Sequence, residues 1–336
     1  MPKVRGFTWT VADHDLLSKI DTWGDVLVEL GHEDPRIVTV TADLATTTKF
    51  ARFKKEFPDR SINVGIAEQN LMAVASGLAA MGFVPVVCSY AAFAILRAAE
   101  FVRTDIAYAG RNVKIIGTLA GVAFGQGGPT HHSIDDLALM RAMPNMTILV
   151  PSDGAEMAEA LRAAILHDGP VYIRYGRGTE PPSRPGEPFT IGKISILREG
   201  SDATVFACGS VVHEAVGAAE RAASQGLLQA RVIAVPTLKP LDEPAILAAI
   251  RETRRIITVE DHNVIGGLGS AIEGVIARSG LGCAVKKLGH QDRFLCTGVP
   301  EDLMHLGGFD EDAIYAALCE IRKIKPPVDD DWGDDA

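Results

Sequence analysis

Gly65-Ile66-Ala67-Glu68-Gln69-Asn70 opens onto Leu71-Met72-Ala73-Val74-Ala75-Ser76-Gly77-Leu78-Ala79-Ala80-Met81-Gly82, and Val84-Pro85-Val86-Val87-Cys88 follows at once. The first run is nearly free of charge and rich in small side chains, which predicts a buried, closely packed helix over 66–81. The second is a β-branched run of strand length, and Gly82 marks the stop between them. A helix feeding a short buried strand is the unit of an α/β fold. Glu68 stands at the mouth of that helix. It can be an ordinary first-turn glutamate favoured by the helix dipole. It can also be there for chemistry, because a carboxylate set among apolar side chains is costly unless something pairs with it.

The same alternation runs through the chain. Strands are expected at 36–41, 84–88, 113–118, 147–150 and 171–174, with helices near 66–81, 92–108, 135–142 and 154–166. Residues 176–192 carry Pro181, Pro182, Pro185 and Pro188 among several glycines and read as a linker. Beyond it the pattern restarts, with strands at 203–207, 230–235, 255–259 and 284–288 and helices near 211–225, 243–252 and 267–278. Two doubly wound α/β domains follow, the second smaller. The length of 336 residues agrees, since it exceeds one ordinary core and suits two domains of roughly 150 residues.

Composition narrows the classes. A hydrophobic share of 47% and a charged share of 23% are globular values, and 33 glycines with few aromatics favour α/β over a β-sandwich. The net charge of −10 argues against a nucleic-acid surface, and part of it sits in the tail Asp329-Asp330-Asp331-Trp332-Gly333-Asp334-Asp335. Cys88, Cys208, Cys283, Cys296 and Cys319 are scattered, with no Cys-x-x-Cys pair, and read as reduced thiols. The N-terminus lacks a signal-like apolar run, and no stretch reaches the roughly 18 to 20 apolar residues of a membrane span. A cytoplasmic location is expected.

Three further segments fall just beyond expected strands, where open α/β sheets hold their ligands. They are Thr41-Ala42-Asp43-Leu44, Ser89-Tyr90-Ala91-Ala92-Phe93 and the glycine-rich loop Gly125-Gln126-Gly127-Gly128-Pro129-Thr130-His131-His132. Singly, each has an ordinary reading: Asp43 as a helix cap, Tyr90 and Phe93 as core aromatics, His131 as a solvated loop histidine. The run Gly266-Gly267-Leu268-Gly269 reads as close helix packing rather than a nucleotide loop.

Jointly they resemble one family. The order Ala-Asp-Leu, Gly-Ile-x-Glu-x-Asn, an aromatic pair, Gly-Pro-Thr-His with Leu137 to Asn145 behind it, and Gly169-Pro170-Val171-Tyr172-Ile173-Arg174 resembles the pyrimidine-binding domain of transketolases. Val259-Glu260-Asp261-His262 leading into Ile265-Gly266-Gly267-Leu268-Gly269-Ser270 is similar to the family's C-terminal domain. The resemblance covers about residues 15–325. It implies a thiamine-diphosphate-binding-fold pyrimidine domain over 15–185, a smaller transketolase C-terminal-like domain over 195–325 serving dimerisation, and an acidic tail at 326–336. The Gly-Asp-Gly motif with a downstream Asn, which in the family holds the diphosphate through Mg2+, does not occur in this chain. The resemblance therefore implies the C-terminal subunit of a split transketolase. An N-terminal partner subunit would carry the diphosphate and magnesium, in a two-plus-two heterotetramer. The pair would move a two-carbon ketol unit from a ketose or ketose phosphate to an aldose or aldehyde.

The same resemblance implies residue roles. Glu68 matches the glutamate that hydrogen-bonds a ring nitrogen of the cofactor's aminopyrimidine, and Tyr90 and Phe93 match the aromatic pair packed on that ring. Leu44 matches the apolar residue that keeps thiamine diphosphate bent, with Asp43 beside it. His131 matches the histidine facing the substrate hydroxyls, where an imidazole can accept and donate protons. Arg177 matches the arginine on the sugar phosphate, and Thr47 is the other remaining phosphate ligand. No metal ligand is implied on this chain.

Departures concern substrate. The family's donor-reading Asp falls on Gly127, a second histidine on Leu119, an arginine on Ile20, and a frequent Gln on His132. They imply a modified or non-phosphorylated ketose, or a phosphate held mainly by the partner. Two rival enzymes share the glutamate, the beta subunit of a 2-oxo acid dehydrogenase and a deoxyxylulose-phosphate synthase-like enzyme. Gly-Pro-Thr-His disfavours the first and the short chain the second. A non-catalytic regulatory subunit that keeps the fold is the third alternative. Retention of Glu68, both aromatics and His131 argues against it.

Overall fold

The computed structural model describes residues 22–183 and 188–324; Ile20, Pro185 and the acidic tail lie outside the described residues. Helix α1 (Trp23–Glu33) leads into β1 (Ile37–Thr41), α2 (Phe50–Glu56), β2 (Ser61–Asn63), α3 (Glu68–Ala80) and β3 (Val84–Tyr90). After the helical segment 92–108 come β4 (Lys114–Thr118), α4 (Asp136–Ala142), β5 (Thr147–Leu149), α5 (Gly154–Leu166) and β6 (Val171–Arg174). These six strands lie side by side in the order β5-β6-β4-β3-β1-β2, every neighbouring pair parallel. Parallel neighbours need connections that leave the sheet, so helices cover its faces. The strands then read as apolar runs, as in β1, buried at all its positions.

The second sheet is built from β7 (Ser195–Arg198), β8 (Ala203–Cys208), β9 (Ala230–Ala234), β11 (Arg255–Asn263) and β12 (Ala284–His290), ordered β12-β11-β8-β9-β7. Only β7 runs antiparallel to its neighbour. Helices α6 (Val212–Ser224), α7 (Glu243–Thr253), α8 (Leu268–Ser279), α9 (Pro300–Gly307) and α10 (Glu311–Ile321) complete this half. The described part of 176–192 holds neither helix nor strand. The strand β10 (Thr237–Lys239) leaves the second half and pairs antiparallel with β5, becoming the seventh strand of the first sheet. It covers an edge whose backbone groups would otherwise stand open. Lys239 then donates to the carbonyl of Arg141 at 3.0 Å and also to that of Met143.

Three expectations change in detail. Helix α3 is not buried all round: Leu71, Met72 and Ala75 pack inward, while Gln69, Asn70, Gly77 and Ala80 are exposed. A uniformly apolar helix does not reveal from sequence which face meets the core. Segment 92–108 is helical but interrupted at Ala98, and its hydrogen bonds widen to the i→i+5 pattern over Ala92–Arg97 and Val102–Tyr108. Such π-turns occur frequently at functional sites. Strand β11 runs past its expected end to Asn263, so Glu260, Asp261 and His262 lie within it. Glu260 accepts from the amides of Leu268 and Gly269 at 2.6 and 2.8 Å, capping α8, and burial pushes its carboxyl up to about 7. Gly267 packs against it with no room for a Cβ, so the glycine run is close packing.

One apolar cluster spans both halves, from Val40, Leu71 and Val87 through Met140 and Met143 to Phe206, Ile233 and Leu268. Through this junction runs a buried polar network. Arg174 Nε donates to Asp136 Oδ2 at 2.9 Å, and Tyr172 donates to the same oxygen at 2.5 Å. The Arg174 Nη2 donates to the carbonyls of Ser133 at 2.9 Å and Asp261 at 2.7 Å. Removing one member of a buried ion pair strands the other, a loss of about 3–5 kcal/mol. Asp136→Ala is therefore expected to lower the urea midpoint by that amount of stability with little change in slope, read by equilibrium unfolding.

Candidate active site

Because β1 to β6 are parallel, their carboxyl ends share one edge. The loops there carry Asp43, Leu44 and Thr47 after β1, Glu68 after β2, Tyr90 and Phe93 after β3, the 119–133 loop after β4 and Arg177 after β6. Asn63 at the end of β2 joins two of these loops. Its Oδ1 accepts from the amides of Asp43 and Gly65, both at 3.0 Å, and its Nδ2 donates to Asp43 Oδ1 at 2.8 Å. Asp43 and Gly65 both have left-handed backbones, φ 62° and 74°, so the chain reverses sharply at each. Thr47 donates to the carbonyl of Leu44 at 3.1 Å, which occupies its hydroxyl proton within the loop.

Glu68 is the first residue of α3 and only 2% exposed. The unpaired amides of the first helical turn favour its charge. Arg97 donates to its Oε2 at 2.9 Å, and among the described residues no donor reaches Oε1. The guanidinium of Arg97 also lies 4.6 Å above the ring of Phe93. Phe93 stands 6.2 Å from Tyr90 and 5.0 Å, edge-on, from His131. Phe124 closes the group, 5.6 Å from Tyr90 and 5.5 Å from His131. Glu68, Tyr90, Phe93 and His131 are thus linked through Arg97 and ring contacts into one constellation. Neither Arg97 nor Phe124 stood out in the sequence. The available signals were the spacing of Arg97 four residues after Phe93 and an aromatic in a glycine-rich loop.

The loop bearing His131 is held from behind by the second half. Val122 donates its amide to both carboxylate oxygens of Asp261, at 3.2 and 3.1 Å, and Gly298 donates to the carbonyl of Gly125 at 3.1 Å. Burial alone would raise the Asp261 carboxyl, but the His290 hydrogen bond at 2.9 Å and the Arg174 charge hold it below its ordinary value. Gly121, with φ 63°, lets that carboxylate approach to where a Cβ would be. His132 turns inward, with Nε2 3.4 Å from the carbonyl of Gly125, and burial lowers its pKa. Its place is loop support. His131 meets Thr130 Oγ1 through Nδ1 at 2.9 Å.

The departures acquire geometry. A Cβ on Gly127 would come within 2.8 Å of both His131 and Phe124, so this loop has no space for the family's Asp. Leu119 sits at a left-handed corner, φ 52°, where its amide donates to the carbonyl of Gly176 at 3.3 Å. Arg177 is half-buried; burial lowers its pKa against the opposing charges of Glu301 and Glu180. To a flat, partly polar ring the constellation offers aromatic side chains to pack on it and a buried carboxylate to meet its edge.

Comparison with known proteins agrees. The family described as transketolase, pyrimidine binding domain, matches residues 18–181, and transketolase, C-terminal domain, matches residues 192–314. The 6-deoxy-6-sulfo-D-fructose transketolase subunit SqwH of Clostridium sp. (strain MSTE9) is 41% identical over 310 residues, 91% of this chain and 94% of that one. A subunit of the apulose-4-phosphate transketolase of Actinobacillus succinogenes is 41% identical over 281 residues, 83% of this chain and 90% of its own. A solved structure described as a split gene transketolase, inactive beta4 tetramer, superposes with a TM-score of 0.81 at 40% identity, over 90% of this chain and 97% of its own. The chain belongs to the transketolase family, in the form whose pyrimidine-binding and C-terminal domains make up a separate subunit.

Proposed function

We propose that this chain supplies the pyrimidine-binding half of the active site in a two-chain, thiamine-diphosphate-dependent transketolase. The pair carries a two-carbon ketol unit from a ketose to an aldose or aldehyde. The observation that carries this reading is the buried carboxylate of Glu68, linked through Arg97 to the ring of Phe93 beside Tyr90. When bound, the cofactor supplies the electron sink for breaking and making the carbon–carbon bond. The chain's own residues bind and orient. Glu68 holds a proton at the pyrimidine ring nitrogen, in a site whose low polarity keeps that hydrogen bond strong. Tyr90 and Phe93 pack on the ring, and Leu44, on the loop that Asp43 anchors, bears on its bend. His131 serves the substrate hydroxyls as proton acceptor and donor.

Since Gly-Asp-Gly does not occur in this chain, the diphosphate and magnesium fall to an N-terminal partner subunit. Ile66 and Met81, at the two ends of α3, and Leu96 and Tyr108 in segment 92–108 are exposed apolar side chains that a second chain could cover. The assembly proposed is two-plus-two, with the C-terminal domain contributing to self-association; the relative described as an inactive beta4 tetramer supports the self-association alone. Among the described residues no helix is long and apolar enough to cross a membrane. No disulfide joins any of the five cysteines, as expected of thiols in a reducing compartment, and this supports a cytoplasmic location.

The two relatives named above act, by their names, on sugars ending in a sulfonate and in a phosphate. For this chain we propose an anionic ketose with Arg177, on the loop after β6, as the anion ligand and Thr47, on the loop after β1, as a second contact. Gly127, Leu119 and Phe124 set the donor side without the usual Asp.

Glu68→Ala is expected to reduce turnover of the reconstituted pair by about 10²–10⁴-fold, with circular dichroism and subunit assembly unchanged. Gly127→Ala should crowd His131 and Phe124 and lower kcat/KM about 10- to 100-fold at a wild-type melting temperature. The pair should transfer ketol units between sugars and release no CO2 from pyruvate. Release of CO2 would put a deoxyxylulose-phosphate synthase or 2-oxo acid dehydrogenase activity in place of the transketolase.

A further inference from the structure

Arg97 occupies an unexpected position. Its side chain is 47% exposed, yet its guanidinium reaches inward to bond the buried Glu68 and lies 4.6 Å over Phe93. One planar cation thereby makes both contacts that the functional reading gives to the cofactor's aminopyrimidine: a hydrogen bond donated to Glu68 and stacking on Phe93. A flat ring stacked on Phe93 and bonded to Glu68 would need the places that this guanidinium fills.

We propose that Arg97 is a displaceable stand-in for the aminopyrimidine, neutralising Glu68 and covering Phe93 until the cofactor arrives, then swinging out. This deepens the thiamine-diphosphate reading and rests on it. Two physical arguments separate it from a permanent Arg97–Glu68 pair. First, the guanidinium holds both the Glu68 oxygen and the Phe93 face that the ring is proposed to use, so a lasting pair would keep the ring out. Second, the cost of keeping the pair differs at its two ends. Glu68 is buried and needs a partner whenever the site is empty of ligand. Arg97 is half in water already and gives up little on leaving. Its backbone lies in the π-turn segment Ala92–Arg97, followed by the break at Ala98, so the side chain projects from the end of a short turn and not from the middle of a packed helix.

The test uses the full chain with its partner subunit and follows thiamine diphosphate binding by intrinsic fluorescence, comparing wild type with Arg97→Met, Arg97→Lys and Glu68→Ala. Arg97→Met removes the competing cation and should bind the cofactor about fivefold tighter, the scale of one partly exposed ion pair. The same variant, measured as the chain alone, should melt lower by about 2–4 °C, because Glu68 has lost its counter-charge. Arg97→Lys keeps the charge but cannot lie flat on Phe93, and its affinity should fall between the two. Cofactor affinity equal to or weaker than wild type in Arg97→Met would overturn the stand-in. Binding by wild type that Glu68→Ala abolishes upholds the thiamine reading independently. Failure of wild type to bind thiamine diphosphate would overturn that reading and this proposal together.

Discussion

The buried pair of Arg174 and Asp136 is the constraint on which the rest of the arrangement hangs. Asp136 begins α4 and Arg174 ends β6, so their 2.9 Å bond ties a helix to the end of a central strand. From there Arg174 reaches the carbonyl of Ser133, which closes the loop bearing His131, and the carbonyl of Asp261 in the second sheet. Asp261 in turn holds Val122 at the loop's other end. A charge taken out of water must be surrounded by partners, and here satisfying that demand binds two domains and one loop into a single geometry. His131 is placed by this network although it touches none of its members directly.

The second domain therefore does more than offer a surface for association. Its β11 and the loop before α9 form the back wall of the site, through Asp261 at Gly121 and Gly298 at Gly125. Its β10 completes the first sheet. This explains why the two halves of the sequence share one apolar cluster and why a linker rich in proline does not make them independent.

At the site, two different solutions to burying a carboxylate stand close in the fold. Asp261 is held below its ordinary pKa by His290 and Arg174, whereas Glu260, its neighbour in β11, meets chiefly helix amides and is pushed up to about 7. Glu68 follows a third course, with an exposed cation as its cover. The first two are structural and closed. In the third the carboxylate is buried and its cation reaches solvent.

Much of this was legible in the order of residues. Alternating apolar periods announced the parallel sheets and the candidate loops at strand ends, and motif order pointed to the family and, through it, to Glu68, Tyr90, Phe93 and His131 as candidates. These follow from local physics: periodicity reports which side of a strand or helix is apolar, and glycines report where the chain must turn. The short elements β2, β7 and β10 escaped, because three or four residues carry too little pattern and exist by pairing with a neighbour. The exposed face of α3 escaped because its apolar residues lie on every side. Arg97 and Phe124 escaped because their importance lies in what they touch across the fold. The sequence by itself determined the architecture, the family and the acid at the helix mouth. Only the tertiary structure decided which cation covers that acid and how the second domain holds the loop bearing His131, since each is a contact between residues distant in the chain.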